Sequence, residues 1–387
     1  MKKLAIIGAS YLQEPLIQKA KQLGIETHVF AWAADDVGEK SADHFYPISI
    51  VEKDAILEKC REIGVDGICS IASDLAAVTV NYVAWAMGLT GNSPEATARS
   101  TNKHLMRLAF ESRGDPSPRS CLVSSAAEAG ELELSFPVIV KPTDRSGSRG
   151  IWKLEDRRGL MEAVEKARAA GFEKKALIEE FVEGEEYSVE CISWQGVHRL
   201  LAVTRKFTTE APHFIETGHL EPAPISPALQ ERVKNVVFHA LDSLGLENGA
   251  SHSEVKIDSG GNIRLIEIGG RMGGDLIGSN LVEMSTGIDF VRAVIDVALG
   301  KEPDLTPVNG PAAAAVRFIF TEQEMETLER LRREHPTWLR DSALWGDLSG
   351  EITDSSARHG YFLFGAPDAE LLYPYLPGDS INMDDAK

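Results

Sequence analysis

Residues 251–269 read SHSEVKI, then DSGGN, then IRLIEIG, and this pattern constrains the fold more than any other in the chain. Two apolar alternations flank a turn signal at 258–262, so the segment predicts an antiparallel hairpin. Each arm carries one glutamate, Glu254 and Glu267, where the alternation puts both on one face. Two carboxylates facing one side repel unless a cation lies between them. Mg²⁺ suits such a pair, because it takes few carboxylates and completes its shell with water and nucleotide phosphates. Two solvated strand glutamates are the plain alternative.

The chain around the hairpin is long enough, at 387 residues, for two or three cores. Residues 1–118 alternate strand and helix patterns, with strands expected at 4–7, 27–30, 45–48 and 67–70 and helices at 53–63 and 75–87. That order predicts an α/β unit with a parallel sheet and right-handed crossovers. Gly8-Ala9-Ser10 follows the first strand, but GxGxxG is absent, so a nicotinamide site is not indicated. A Pro/Gly-containing linker at 113–120 leads to an α+β region: strands at 137–142, 151–154 and 176–181, alternation to 194, a strand at 200–204, and helices at 160–170 and 227–244. Residues 208–224 read as an irregular segment. After residue 300, a strand at 312–320, a helix at 322–334 and HGYFLFG at 359–365 predict a small C-terminal α+β unit. The expected domains are 1–118, 119–300 (divided near 185) and 301–387.

Net charge is −19 with a pI near 5.0, which argues against nonspecific binding to nucleic acid or anionic membrane. Cys60, Cys69, Cys121 and Cys191 show no metal or redox spacing and read as reduced thiols. The apolar run after Met1-Lys2-Lys3 breaks early, and no stretch reaches the roughly 20 residues of a membrane span. A cytoplasmic protein is expected.

Several short motifs carry chemistry. Gly147 and Gly150, with Ser146 and Ser148, make the loop RSGSRG a source of successive backbone N–H groups that can wrap phosphate oxygens. Lys141, on the strand before it, can serve as a point charge on a phosphate. The pattern is not a Walker A loop. Downstream, LIEEFVEGEE joins a strand to an acidic turn; backbone exposed at such a hinge can meet an adenine edge, and a Glu beyond it can accept ribose hydroxyls.

Lys103, the Lys141 strand with SGSRG, IEEFVEGEEYSVE, HSEVK and IEIGGRMGG follow one another as in the ATP-grasp superfamily. The chain resembles its carboxylate–amine ligases, including the L-amino-acid ligases, and more distantly biotin carboxylase and the purine-pathway ligases. The resemblance spans nearly the whole chain, with residues 1–118 as the pre-ATP-grasp domain. It implies ATP and one or two Mg²⁺ ions, with Mn²⁺ as a substitute, held by Glu254 and Glu267. It gives Lys103 and Lys141 to the phosphates, residues 144–150 to a flap, Glu179, Glu180, Phe181 and Val182 to the adenine hinge, and Glu186 to the ribose. Arg271 would meet the substrate carboxylate or its acyl phosphate, with the Gly273 and Gly274 amides at the oxyanion. Where family members commonly carry Asn, this chain has Gly269.

His213 and His219, in the irregular segment, are candidate substrate contacts or proton relays, with water-exposed loop histidines as the alternative. His252 can orient the neighbouring metal glutamate. The expected function is ATP-dependent amide formation between small acids and amines, amino acids above all, through an acyl phosphate. A glycinamide synthetase, a bicarbonate-using carboxylase and a silent nucleotide-binding regulator are the alternatives. A homodimer is the family habit; neither nucleic acid nor membrane is expected as a partner.

Overall fold

The computed structural model describes residues 1–378 apart from 146, 148, 210–213, 311, 346–347 and 349–356, and every count below is of those residues. Ser146, Ser148 and His213 therefore lie outside the described residues. The structure bears out the expected combination of α/β and α+β layers.

The first sheet is wholly parallel, in the order β3-β2-β1-β4, from β1 (Lys3–Ile7), β2 (Glu26–Phe30), β3 (His44–Tyr46) and β4 (Gly67–Cys69). Its crossovers are α1 (Glu14–Gln22), α2 (Val37–Ser41) and α3 (Lys53–Ile63). Next come α4 (Asp74–Met87), α5 (Pro94–Thr101) and α6 (Lys103–Arg113). Ser73 Oγ caps α4 by accepting from Ala76 N, which fixes Asp74 in the first turn. Asn102 caps α6 in the same way and places Lys103 at its start. Neither α5 nor α6 was expected from the apolar pattern.

A second sheet, β5-β8-β6-β7, is antiparallel: β5 (Ser120–Val123), β6 (Val138–Pro142), β7 (Trp152–Leu154) and β8 (Ala176–Glu180). Helices α7 (Ala126–Glu131) and α8 (Leu160–Ala170) pack on it, burying Leu160, Ala163, Val164 and Ala167 at helical spacing.

The third sheet has eight strands in the order β13-β12-β9-β10-β11-β14-β16-β15. These are β9 (Glu185–Trp194), β10 (Val197–Thr208), β11 (Glu216–Glu221), β12 (Gly249–Ile257), β13 (Ile263–Gly269), β14 (Ala313–Ile319), β15 (Leu339–Leu344) and β16 (Gly360–Ala366). Helix α9 (Pro227–Leu244) covers β12 and β13 with Val233, Val237, Ala240, Leu241 and Leu244. After α10 (Val282–Thr286), α11 (Phe290–Ala298) is wedged between the first and third sheets, in one cluster with Leu4, Ile6, Val29, Ile192 and Ala250. This apolar wedge ties the two sheets together. Helix α12 (Glu322–Glu334) lies between β14 and β15 in the chain.

The C-terminal α+β unit was expected without a stated sheet; its strands β14, β15 and β16 extend the large sheet through β11. One expectation needs correction. The segment 208–224 is not irregular throughout, because β11 lies inside it, held on both sides by β10 and β14. Pairing with distant strands determines its conformation, and the prolines beside it hid that from local pattern.

Glu221, at the end of β11, is fully buried and accepts hydrogen bonds from Thr204 Oγ1 and Ser285 Oγ, each at 2.5 Å. Burial outweighs these two donors and pushes its carboxyl up to about 8. The folded chain thus keeps a proton that the unfolded chain releases near 4.5. Stability from this group is complete below that pH and declines as pH rises toward 8. Glu221→Gln is expected to flatten this part of the Tm–pH profile. An unchanged slope in thermal melts would show that another group sets it.

Candidate nucleotide and metal site

A cleft of about 1050 Å³, measured out to open solvent, lies between the second sheet and one face of the third. Ile139, Ile151, Phe181, Val182, Phe214 and Ile266 supply apolar wall, and ionised side chains crowd the floor.

The floor follows from sheet register. Glu254 on β12 stands directly opposite Glu267 on β13, and a bulge follows Glu254. Glu254 also pairs across to Ser188 on β9, so Glu186, two residues away on β9, shares its face. Four carboxylates on one surface need compensating charge. Lys206 of β10 supplies much of it: its Nζ lies 2.6 Å from Glu186 Oε1, 2.7 Å from Glu254 Oε1 and 3.7 Å from Glu216 Oε1. Burial disfavours the ammonium, yet these glutamates hold its pKa well above the ordinary lysine value. Burial likewise opposes the Glu254 carboxylate, and Lys206 with His252 holds its pKa well below the usual range. Lys206 was not picked out from the sequence, because the strand expected there stopped at 204.

Lys103 reaches the same floor from the start of α6, with Nζ 2.6 Å from Glu267 Oε1 and 2.8 Å from the Arg145 carbonyl. A cation in a first helical turn opposes the helix dipole, and Glu267 offsets that penalty. Lys141 on β6 is 2.6 Å from Glu179 Oε2, while Arg107 of α6 donates to both Glu179 oxygens at 2.7 and 3.2 Å. Glu179 is thus a buried anchor for two cations at the edge of the cleft. Burial lowers the Lys141 pKa, with Glu179 opposing.

The remaining hinge residues line the cleft, Glu180 beside Arg119 at 3.3 Å and Phe181 beneath the ammonium of Lys153 at 4.2 Å from the ring centroid. Gly147 also lines it, whereas Gly150 packs against Ala170 of α8. No helix among the described residues is long and apolar enough to cross a membrane.

Arg271 follows β13 and faces the cleft. Asp74 grips it from the first domain, accepting from Nε at 2.8 Å and from the terminal amine at 3.0 Å. This contact explains Gly269. A Cβ at 269 would sit 2.6 Å from Asp74 Oδ1 and 3.3 Å from Arg271 Nε, so the bidentate pair fills the space that an Asn side chain needs.

Gly273 differs from its expected role. Its N–H donates to Glu190 Oε2 at 2.9 Å, so it is not available to an oxyanion. Glu190, fully buried on β9, also holds His252 Nδ1. Burial works against the imidazolium, but Glu190 prevails and the His252 pKa is pushed up to about 9. His252 Nε2 lies 3.7 Å from Glu254 Oε1, a charged neighbour to that carboxylate. Gly274 rests against Ala72.

His219 is also corrected. It is fully buried on β11, with Nε2 3.5 Å from Asp275 Oδ2 and its ring edge-on to Phe318, and it does not line the cleft. Asp74, Arg107, Glu190 and Lys206 were missed. Charged residues inside strand alternation (Glu190, Lys206) were the one available signal for two of them.

The hard oxygen donors of Glu254 and Glu267 fit Mg²⁺, and the lysines around them fit phosphate. An ATP-grasp domain model matches residues 134–279. The alanine–anticapsin ligase of Bacillus subtilis is 27% identical over 334 residues, 76% of this chain and 70% of that protein. Carnosine synthase 1 of Homo sapiens is 26% identical over 338 residues, 79% of this chain and 40% of that one. The chain spans between 40% and 70% of the lengths of such curated relatives. An L-amino acid ligase from Bacillus licheniformis shares the fold, with a TM-score of 0.82 over 97% of this chain and 96% of that one at 23% identity. Residues 134–279 thus match an ATP-grasp domain, and the proteins the chain is similar to are amino-acid-ligase-like.

Proposed function

We propose that the protein joins the carboxylate of an amino acid, or a similarly small acid, to an amine, using ATP and passing through an acyl phosphate. The observation that carries this reading is the cross-strand pair Glu254 and Glu267 inside a cleft that also gathers Lys103, Lys141, Lys206 and Arg271. The chain is acidic as a whole, whereas the cleft lining balances six lysines and arginines against six glutamates.

Lys103 and Lys141 hold the phosphates, and the apolar wall takes the adenine. Glu186 is placed for the ribose. Glu254 and Glu267 would hold Mg²⁺, which would supply positive charge against the phosphate oxygens. Arg271, aimed by Asp74, receives the substrate carboxylate. One carboxylate oxygen attacks the γ-phosphorus, the bond to ADP breaks, and an acyl phosphate forms. The amine then attacks the acyl carbon, inorganic phosphate leaves, and the amine's surplus proton passes to solvent. The protein supplies position and charge for both displacements.

The silent-regulator alternative rested on Gly269, and the Asp74–Arg271 pair gives that residue a steric reason of its own. The deciding experiment is Mg²⁺-dependent phosphate release from ATP across amino acids and small carboxylates, singly and paired, with mass spectrometry of each hit. Release that needs a pair and gives a product of their mass less water is the expected result. A requirement for bicarbonate or a phosphosugar amine would replace this reading with the carboxylase or glycinamide alternative. ATP binding with no release across the panel would count against catalysis.

A further inference from the structure

A second cluster of metal-ligating side chains lies in the first sheet, remote in sequence from every residue assigned to the cleft. Glu26 and His28 alternate along β2 and so share a face, and His44 of β3 is the register partner of His28. The two imidazoles stack with centroids 4.7 Å apart. Glu26 Oε1 lies 3.3 Å from His28 Nε2 and 3.1 Å from His44 Nε2, and the three ligand atoms fall within 4.8 Å of one another.

We propose that Glu26, His28 and His44 bind a divalent transition-metal ion of the Zn²⁺ class, through Glu26 Oε1, His28 Nε2 and His44 Nε2, with a fourth position open to water. Bonds of roughly 2.0–2.1 Å at tetrahedral angles set neighbouring ligand atoms about 3.3 Å apart, and the two distances to Glu26 Oε1 match that spacing.

An ordinary hydrogen bond explains less. Glu26 accepts one from His44, but His28, only 3% exposed, has a buried Nε2 with no hydrogen-bond partner despite the carboxylate beside it. Leaving such a nitrogen unpaired is costly, and a metal ion would satisfy it. The other nitrogen, Nδ1, is 3.1 Å from Tyr46 Oη, an outer contact of the kind that fixes the tautomer of a ligating histidine. Lys3, the register partner of Glu26 on β1, is the nearby cation, and its ammonium is turned away to the Ile63 carbonyl at 3.0 Å. His44 is half exposed, which gives the ion a route from solvent.

Two imidazoles and one carboxylate select Zn²⁺ over Mg²⁺, so this site and the cleft would take different ions. A bound ion would fasten β3, a three-residue edge strand, to β2.

The test is calorimetric titration of the full chain with ZnCl₂, beside His44→Ala, Glu26→Gln and Glu267→Gln. The expected result is one saturable equivalent in the wild type, retained by Glu267→Gln. Both variants at the proposed site should weaken binding by at least about 10-fold, because losing even an outer partner of a ligand costs roughly 10- to 100-fold. Co²⁺ should give visible bands of a tetrahedral ion that His44→Ala abolishes. Zn²⁺ bound equally well by His44→Ala, Zn²⁺ lost in Glu267→Gln, or no saturable binding would each overturn the proposal.

Discussion

Glu267→Gln is expected to lower Mg²⁺-dependent turnover by at least about 100-fold, since even outer partners of metal ligands commonly contribute 10- to 100-fold. The substitution keeps the side chain's volume and removes its charge. Glu254 alone would then offer a charged oxygen to the metal, and Lys103 would lose the negative charge 2.6 Å from its ammonium. The fold should persist, because the glutamine amide oxygen can still accept from Lys103 and Glu267 is partly open to solvent. Phosphate release measured against Mg²⁺ concentration, with a thermal melt as control, checks both halves. An unchanged rate would remove the metal from this hairpin.

Arg271→Ala should reduce kcat/KM for the acid by about 10²- to 10³-fold, the usual effect of removing a donor aimed at developing charge. ATP affinity should stay within about threefold, because the proposal gives the phosphates to Lys103 and Lys141 and not to Arg271. The variant also leaves Asp74 with an unpaired, partly buried carboxylate and so loses stability, by about 3 kcal/mol at most. Removing both partners, in Arg271→Ala with Asp74→Ala, is expected to recover stability while activity stays low. That separation distinguishes a substrate contact from a structural ion pair. Equal losses in acid and nucleotide binding would put Arg271 on the ATP.

What the sequence disclosed follows the range of the interactions involved. The Glu254–Glu267 hairpin is visible because alternation and a turn signal lie within 19 residues, and the register sets the two acids opposite each other. The parallel sheet of the first domain is legible for the same reason, each strand being short, apolar and followed by its own helix. Lys206, Glu190 and Asp74 were missed because their roles arise only when strands far apart in sequence pair. Asp74 meets Arg271 across 197 positions, and no local pattern reports that. His219 failed in the opposite direction: two histidines between prolines looked like loop, yet β11 is an interior strand that needs both neighbours to exist.

The contact at Gly269 also has an evolutionary consequence. A Cβ at that position and a carboxylate at position 74 compete for the same few cubic ångströms. A descendant could not gain Asn at 269 by one substitution without displacing the acid that aims Arg271. Losing the acid first would leave the arginine unanchored. The two positions should therefore change together, or in an order that passes through a weakened enzyme. Across related sequences, an acid at the Asp74 position should accompany glycine at the 269 position and be scarce beside asparagine.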